Sequence, residues 1–296
     1  MYQLKSNRLT LLIPDPSSLE VLAHRFDPTG VVSEIILDDN IYLTASEPHN
    51  VIGGGLHSAG RGLSCEFKFD TFPQTAVGAH GLKLGVGLLK KPDEKPFDHH
   101  REYEKQPFSH EVLSCTQQKI TFRTTSIECD GYQTEHTRSI DVSDNTITMS
   151  VTLENTGSKS ITFREYCHNF FSVDGLALGP AYTLKLPQIP DLKRIVSKTA
   201  ADLYDVSGDT ATVKCHKPTG TAFAAEVQDI SPETTFAWEL THTDAKVRIR
   251  AVEYFSPVFV QVWSYDHMIC PEAFFEATVQ PGESTTWQRS WTIDTL

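Results

Sequence analysis

The sequence predicts an all-β protein, built as a large antiparallel β-sandwich with few helical turns. Three observations support this prediction. Short segments alternate apolar and polar residues, turn-forming residues separate them at intervals of roughly 8 to 12 residues, and segments with helical periodicity are almost absent. No Gly/Ser linker, low-complexity run or internal repeat interrupts the chain, so residues 1–296 are expected to form a single domain.

Residues 146–154, TITMSVTLE, show the alternation most clearly. Ile147, Met149, Val151 and Leu153 would point to one face of a strand, with hydroxyl and carboxylate residues on the other face. The same pattern, enriched in aromatic and β-branched residues, predicts strands at 119–125, 137–143, 159–166, 182–187, 235–240, 246–252, 258–263 and 284–293. Helical turns are expected only near residues 16–20 and 190–193.

The charge balance excludes several classes of partner. The chain has 26 Lys and Arg against 38 Asp and Glu, a net charge of −12, and its longest basic run is the pair Lys90–Lys91. Nucleic acid and anionic membranes are poor partners for such a surface. The first residues lack a secretory signal, and no stretch reaches the ~18 apolar residues of a spanning helix. We therefore expect a soluble, cytoplasmic protein.

Cysteine usage agrees with a reducing compartment. The cysteines form no C-x-x-C pair and are too sparse for a disulfide scaffold, so we expect reduced, mostly buried thiols. They are Cys65, Cys115, Cys129, Cys167, Cys215 and Cys270.

Two segments depart from the rhythm of strands and turns. Residues 53–63 are rich in glycine, and residues 90–110 form a long polar stretch. Loops of such length in a compact domain are usually functional or poorly ordered. We expect these two segments to form the walls of a binding cleft.

Two residues stand out as candidates for proton transfer. His168 lies among aromatic residues, and a buried imidazole often has a shifted pKa; the alternative is a core histidine satisfied by a backbone carbonyl. Glu272 follows an apolar strand, where burial would raise its pKa as a general base requires. The alternative is a glutamate at the rim of a strand, and the pattern does not separate Glu272 from Glu276.

Several motifs resemble one known superfamily. EYCHNFF (165–171) is similar to the histidine-asparagine-aromatic segment of the galactose mutarotase and hexose-6-phosphate epimerase superfamily. ICPEAFFEATVQPGESTTW (269–287) resembles its C-terminal cysteine-x-glutamate segment and Pro-Gly-Glu turn, and residues 79–83 resemble its histidine-glycine element. HRFDPTGVVSEIILDDN and GRGLSCEFKFD are similar to a poorly characterised bacterial branch of the same superfamily.

The resemblance extends over residues 24–293 and implies a galactose mutarotase-like supersandwich. It also implies an isomerase, an aldose 1-epimerase that interconverts the α and β anomers of an aldose without metal or cofactor. In that reaction Glu272 would remove the proton of the anomeric hydroxyl and His168 would deliver a proton to the ring oxygen.

The resemblance further implies residues that bind the sugar. Hydroxyl recognition would fall to His80, Lys83, Glu66 and Arg101, with Trp263 as a possible stacking face. Each residue also has a structural interpretation. Lys83 and Arg101 could be solvated, Glu66 could lie on the exposed side of a strand, Trp263 could be core, and His80 could be a turn residue.

The sequence also departs from the superfamily pattern. The paired arginine and asparagine of galactose mutarotases is not recognisable, and GGGLHSAGRGLSCEF (53–67) occupies its place. A mid-chain aspartate that holds sugar hydroxyls is missing as well. The sugar, the oligomeric state and phosphorylation of the substrate therefore stay open, with Lys83, Lys90, Lys91 and Arg101 as candidate phosphate ligands.

Two other functional classes remain alternatives. Asp98-His99-His100 and His110-Glu111 could indicate a metal-dependent enzyme of the cupin kind. However, adjacent His99 and His100 would point to opposite sides of an extended segment, and no His-x-His spacing is present. A catalytically silent carbohydrate-binding sandwich would share the fold without the acid/base pair.

Overall fold

The structure is a computed structural model that describes residues 1–18, 24–47, 60–198, 200–215, 219–226 and 234–296. The strands are β1 (Tyr2–Lys5), β2 (Leu9–Ile13), β3 (Glu34–Leu37), β4 (Ile41–Tyr42), β5 (Leu63–Lys68), β6 (His80–Lys83), β7 (Gly87–Lys90), β8 (Lys105–Pro107), β9 (Ser109–Cys115), β10 (Lys119–Thr125), β11 (Thr134–Ser143), β12 (Thr146–Asn155), β13 (Ile161–Asn169), β14 (Tyr182–Lys185), β15 (Tyr204–Ser207), β16 (Thr210–Val213), β17 (Thr219–Glu226), β18 (Phe236–His242), β19 (Val247–Glu253), β20 (Phe259–Tyr265), β21 (Met268–Val279) and β22 (Ser284–Thr295). Short 3-10 turns lie at Phe72–Gln74 and Leu192–Arg194.

Two large antiparallel sheets form the sandwich, which confirms the predicted fold class. One has ten strands in the order β15-β16-β14-β18-β19-β22-β12-β11-β10-β9, and the other has five in the order β17-β20-β21-β13-β5. A four-stranded sheet, β1-β2-β3-β4, and a three-stranded sheet, β6-β7-β8, complete the described architecture. Among the described residues, no helix has the length and apolar character needed to cross a bilayer.

Aromatic rings join the inner faces of the two large sheets. Trp287 on β22 contacts Phe67 on β5, Phe163 on β13 and Phe275 on β21, with ring centroids 4.7–6.2 Å apart. Strand β12 points its apolar side chains, including that of Val151, into this same interior, as the alternation predicted. Side chains that alternate on each strand therefore leave the other face of the five-stranded sheet free for a site.

Charged side chains also lie inside this core. Arg289 donates to both oxygens of Glu165, at 3.0 and 2.8 Å, and its Nε donates to Glu253 at 2.9 Å. Arg138 lies 3.8 Å from Glu165 and 3.2 Å from Asp27. All five side chains are at most 1% exposed. We call them the core ion network; it links β13 of one sheet to β11, β19 and β22 of the other.

The predicted strands are confirmed, and the structure adds several that were not predicted, most of them before residue 119. Every segment predicted as a strand between residues 119 and 293 forms one. Strand β5 reads LSCEFK and alternates, but its polar residues Ser64 and Glu66 are buried as well as its apolar ones, and β4 has only two residues. The helical turn predicted near 190–193 is present at Leu192–Arg194, whereas residues 19 and 20 of the other predicted turn lie outside the described residues.

Two further expectations need correction. The cysteines are free thiols, but only Cys65, Cys167 and Cys270 are buried, while Cys129 is half-buried and Cys115 and Cys215 are exposed. The polar stretch 90–110 is not one long loop, because β8 and the start of β9 lie within it. The connection between β7 and β8 covers residues 91–104.

Candidate active site

The register of two strands places His168 opposite Glu272. β13 pairs with β21 over Ile161–Glu165, with Glu165 opposite Phe275, and the two chains meet again at the bridge between Phe171 and Ile269. Counting three residues inward from either end leads to His168 and Glu272. The ladder is interrupted between these ends, and the two polar side chains lie in the interrupted stretch. Pro271 contributes to the interruption because it has no backbone N–H to donate.

The two side chains touch inside this gap. Nε2 of His168 lies 3.2 Å from Oε1 of Glu272, and the side chains are 3% and 0% exposed. The contact is not aligned as a hydrogen bond, and neither Oε1 of Glu272 nor Nδ1 of His168 has a hydrogen-bond partner among the described residues. Buried polar atoms are normally satisfied, so these two atoms are available to a ligand.

Neighbouring residues hold the pair in place. Gln261, which faces Glu272 across the β20–β21 ladder, donates to its other oxygen, Oε2, at 2.8 Å. Asn169 donates to the carbonyl of Pro271 and accepts from Trp291 at 3.1 Å, so it joins the end of β13 to the residue next to Glu272. The histidine ring stacks on Phe170 with centroids 3.9 Å apart. Glu272 is therefore held by a side chain of the neighbouring strand β20, and His168 by the aromatic ring two residues after it.

Burial shifts both pKa values away from the charged forms. Desolvation raises the pKa of Glu272 to about 8, although Arg25 and the amide of Gln261 oppose the shift. Desolvation lowers the pKa of His168 well below its usual value, and the positive charge of Arg25 adds to that effect. Near neutral pH the pair therefore holds one proton, and that proton resides mainly on Glu272.

A cluster of charges lies beside the pair on the same face of the sheet. Glu66, on β5, is 1% exposed, and its Oε2 accepts from Nε of Arg25 at 2.9 Å and from the hydroxyl of Tyr166 at 2.6 Å. Its Oε1 lies 3.2 Å from Lys68 and 3.4 Å from Lys83. Lys83, only 2% exposed, also donates to the carbonyl of Phe67. Glu66 and Lys83 are thus buried, not solvated as the alternative interpretation allowed.

A cavity of about 440 Å³ opens over this cluster. Its lining comprises Glu66, Lys68, Phe69, Asp70, Lys83, Phe97 and His99. The first five residues of that set belong to β5, to the segment that follows it and to β6, and the last two belong to the 91–104 connection. The volume lies within the range of small-ligand sites.

Apolar rings form the opposite side of the pair. Trp263 is half-buried, its ring meets His168 edge-on at 5.5 Å, and it stacks on Tyr265 at 5.8 Å. Phe26 approaches both His168 and Phe170 edge-on at 6.1 Å. Trp263 therefore stands next to the candidate catalytic pair with part of its surface exposed, as a stacking face requires.

Two residues predicted to bind the sugar lie elsewhere. His80 is an odd number of residues from Lys83 on β6, so it faces the other side of the strand, and it does not line the cavity. Arg101 donates to both carboxylate oxygens of Asp93, at 3.1 and 2.8 Å, and does not line the cavity either. The roles of His80 and Arg101 in sugar binding stay predictions.

The glycine-rich segment is described only in part, because residues 53–59 lie outside the described residues. At Gly60 a Cβ would lie 2.4 Å from the ring of Phe170. Gly62 has φ of +51°, and a Cβ there would lie 1.9 Å from the carbonyl oxygen of Val32. These glycines let the chain pass close to the aromatic side of the site. Whether residues 53–59 form a wall of the cleft stays a prediction.

Sequence reasoning missed three residues near the pair, Arg25, Tyr166 and Gln261, and it considered His99 only as a candidate metal ligand. Tyr166 and Gln261 lie in motifs and strands that were recognised, but only the register shows which face they occupy. Arg25 belongs to the motif HRFDPTG, which was matched as a whole without a role for its arginine. The available signal was the alternation along β13 and β20, because residues two apart on a strand share a face. Tyr166 is two residues from His168, and Gln261 is two residues from Trp263.

Solved structures with a similar fold cover nearly the whole chain. A galactose mutarotase related enzyme from Lactobacillus acidophilus matches with a TM-score of 0.61 and 14% identity, covering 99% of this chain and 97% of its own. The fold is galactose mutarotase-like. A putative aldose 1-epimerase from Escherichia coli matches with a TM-score of 0.58 and 14% identity, covering 100% and 99% of the two chains.

A galactose mutarotase-like protein from Lactobacillus casei matches with a TM-score of 0.63 and 12% identity, covering 99% of this chain and 100% of its own. Searches against protein-family models and against curated proteins find no match. At such low identity the likeness establishes the galactose mutarotase-like fold, while the chemistry has to be argued from the site.

Proposed function

We propose that this protein is an aldose 1-epimerase, an isomerase that interconverts the α and β anomers of an unphosphorylated aldose by acid/base catalysis. One observation carries the proposal: a buried imidazole and a buried carboxyl group lie 3.2 Å apart, each with a polar atom left without a partner among the described residues. Opening a pyranose requires one proton acceptor and one proton donor held close together.

The two groups divide the reaction as follows. With sugar bound, the single proton of the pair moves from Glu272 to His168 across their 3.2 Å contact. Glu272 then removes the proton of the anomeric hydroxyl while His168 delivers its proton to the ring oxygen, and the ring opens to an aldehyde. After rotation about the C1–C2 bond the transfers run in reverse, and the ring closes on the other face of the carbonyl. Because each turnover returns both protons, the pair needs one proton in total at the start.

The neighbouring side chains bind the rest of the sugar. Arg25, Lys83 and Glu66 offer donors and acceptors for hydroxyl groups, and Trp263 offers an apolar face to the C–H side of the ring. We also propose that residues 1–296 act as a single domain in the cytoplasm, a compartment that suits free thiols.

Exchange NMR between the α and β anomers tests the proposal directly. For at least one aldose in a panel of free hexoses and pentoses, catalytic amounts of protein should broaden the two anomeric resonances. Saturation of one of these resonances should also be transferred to the other. If no aldose in the panel exchanges faster than in buffer, while saturation-transfer difference spectra still detect sugar binding, the protein is a silent carbohydrate-binding sandwich and the proposal is wrong.

The rate of exchange should depend on pH through the single proton of the pair. We expect kcat/KM to be constant near neutral pH and to fall above about pH 8, where Glu272 loses that proton and no acid remains. A second fall should occur only at acid pH, because the pKa of His168 is well below its usual value. Exchange rates measured in buffers from about pH 4 to 10 check this. A rate that instead rises through pH 8 to a plateau would indicate a lone carboxylate base.

Unphosphorylated sugars should be preferred over their 6-phosphates. Every cation that the sequence offered as a phosphate ligand already has a carboxylate partner. The pairs are Lys83–Glu66, Lys90–Glu104, Lys91–Glu94 and Arg101–Asp93, with N–O distances of 3.4, 2.8, 3.6 and 2.8 Å. A phosphate would have to displace a carboxylate or lie next to one, and like charges disfavour this.

We therefore expect kcat/KM for a hexose to exceed that for its 6-phosphate by roughly tenfold or more. Glucose and galactose, each compared with its own 6-phosphate in the exchange assay, form matched pairs. A higher kcat/KM for either phosphate would overturn the preference and leave the acid/base assignment standing.

A further inference from the structure

We propose that His99 is a substrate-binding residue of the same site, where its neutral ring recognises a pair of hydroxyl groups distant from the anomeric carbon. The proposal rests on the proposed function and adds to it a specificity residue that neither the sequence motifs nor the acid/base pair account for. Its basis is the position of the ring, the way its loop is held and the charges that surround it.

The ring of His99 lies in the wall of the site. It lines the 440 Å³ cavity together with Glu66, Lys68 and Lys83, and it is half-buried. It is close enough to Arg25 and Glu66 for their charges to affect its protonation, and its own charge would disfavour protonation of His168. His99 therefore shares the wall of this cavity with the charge cluster, and it is near enough to His168 for their charges to interact.

The loop that carries His99 is held at both ends. Arg101 binds Asp93 across the loop through two hydrogen bonds. The hydroxyl of Tyr103 accepts from the backbone N–H of Asp98 at 2.9 Å and donates to its carbonyl at 3.1 Å. The ring of Tyr103 stacks on Phe97 at 5.6 Å. These contacts fix the residues on both sides of His99, so its ring can be a preorganised part of the binding surface.

The surroundings determine which ligand His99 can bind. Burial lowers the pKa of His99 to about 3, and the positive charge of Arg25 contributes in the same direction. The ring is thus neutral at physiological pH, with one nitrogen as donor and the other as acceptor. Adjacent hydroxyl groups on a sugar ring each donate and accept, so they match this pair of nitrogens.

A metal site is the competing explanation. Ligand atoms of Asp98, His99 and His100 lie within 4.8 Å of one another, and the two imidazole rings are 4.0 Å apart because they lie in a turn and not in an extended strand. However, the carboxylate Oδ1 of Asp98 accepts from the backbone N–H of His100 at 2.9 Å, as in an ordinary Asx turn. The test therefore includes a chelator.

Two substitutions of similar volume separate hydrogen bonding from packing. His99→Leu keeps most of the volume but removes both nitrogens, while His99→Gln keeps one donor and one acceptor. We expect His99→Leu to raise KM by roughly 10- to 100-fold with kcat within about threefold, and His99→Gln to recover most of that loss. His100→Leu, which changes the same turn, should alter KM by less than about threefold.

Deoxy sugars identify the hydroxyls concerned. In the wild type, removing a hydroxyl that His99 binds should raise KM, and in His99→Leu the same deoxy sugar should bind as well as the parent sugar. The upper limb of the pH profile near pH 8 should be unchanged in His99→Leu, because the residue does not transfer the proton.

The outcomes distinguish this inference from the proposed function. If wild-type protein catalyses exchange and His99→Leu has the same KM and the same response to every deoxy sugar, the inference is wrong and the function stands. If wild-type protein catalyses no exchange, the function fails, and sugar titrations followed by saturation-transfer difference NMR still compare binding by the two proteins. If EDTA abolishes wild-type activity and Zn²⁺ restores it, His99 acts as a metal ligand and the inference is overturned.

Discussion

Replacing Glu272 by glutamine is expected to lower the catalysed exchange rate by roughly 10²- to 10⁴-fold. Glutamine keeps the shape of the side chain and can still meet Gln261, but it can neither hold nor release the proton that the pair needs. His168→Asn should have a similar effect, because it removes the other partner in proton transfer. The double variant should be little slower than either single variant, since both residues act on the same step.

The substitution should not harm the fold. A carboxyl group whose pKa is raised by burial is destabilising in its charged form, so an uncharged amide at position 272 should leave Tm unchanged or slightly higher at pH 9. Exchange NMR at a fixed sugar concentration and thermal unfolding of the same samples give the two readouts. Activity within about threefold of wild type in Glu272→Gln would remove the residue from the mechanism.

Glu276→Gln is the matched control. Glu276 lies on the same strand four residues further on, but it is exposed and binds Arg164 at 2.7 Å on the surface. It was indistinguishable from Glu272 in the sequence because both follow apolar residues in the same motif. The control should retain full activity, and a loss comparable to that of Glu272→Gln would assign the base to position 276.

The sequence predicted the fold class well because alternation records burial on one face. β12, whose residues read TITMSVTLEN, faces the core on one side, and its alternation of apolar and polar residues predicts this directly. β5, reading LSCEFK, alternates as well, but it is covered on both faces, so there the alternation does not mark an exposed side. The charged residue within it, Glu66, seemed to mark an exposed side; it is buried because Arg25, Lys68, Lys83 and Tyr166 satisfy its charge.

The catalytic pair was predictable only through resemblance. Neither local segment predicts that the side chain of His168 contacts that of Glu272. The contact depends on the register of β13 and β21, which is fixed by the ladder at one end and by the bridge between Phe171 and Ile269 at the other. His80 shows the converse difficulty. It lies in a matched motif three residues from Lys83, yet the two side chains leave the strand on opposite faces, so a motif match does not define a shared site.

Replacing Arg289 by methionine is expected to destabilise the protein by about 3–5 kcal/mol, which corresponds to a fall in Tm of roughly 6–10 °C or more. The substitution leaves Glu165 without its principal partner inside the core, where water cannot replace the lost hydrogen bonds. Burial raises the pKa of Glu253, so that carboxyl group can become neutral, but the pKa of Glu165 is held low by Arg289 and Arg138 against desolvation. Glu165 therefore bears most of the penalty.

Arg250→Met provides the control for the loss of an arginine. Arg250 is half exposed and binds Asp294 at the surface, so its replacement should cost less than about 1 kcal/mol. Chemical denaturation of both variants, with wild type alongside, measures the difference. Equal stability of Arg289→Met and Arg250→Met would mean that the core ion network contributes no more than a surface pair.

Adding Glu165→Gln to Arg289→Met should recover much of the lost stability, because the amide removes the stranded charge. This rescue separates an electrostatic penalty from a packing defect, which the second substitution would leave unchanged. Activity should follow stability in the same variants, since β13 carries Glu165 on its core face and His168 on its site face. A double variant that regains stability without regaining exchange activity would show that the core ion network also positions the imidazole.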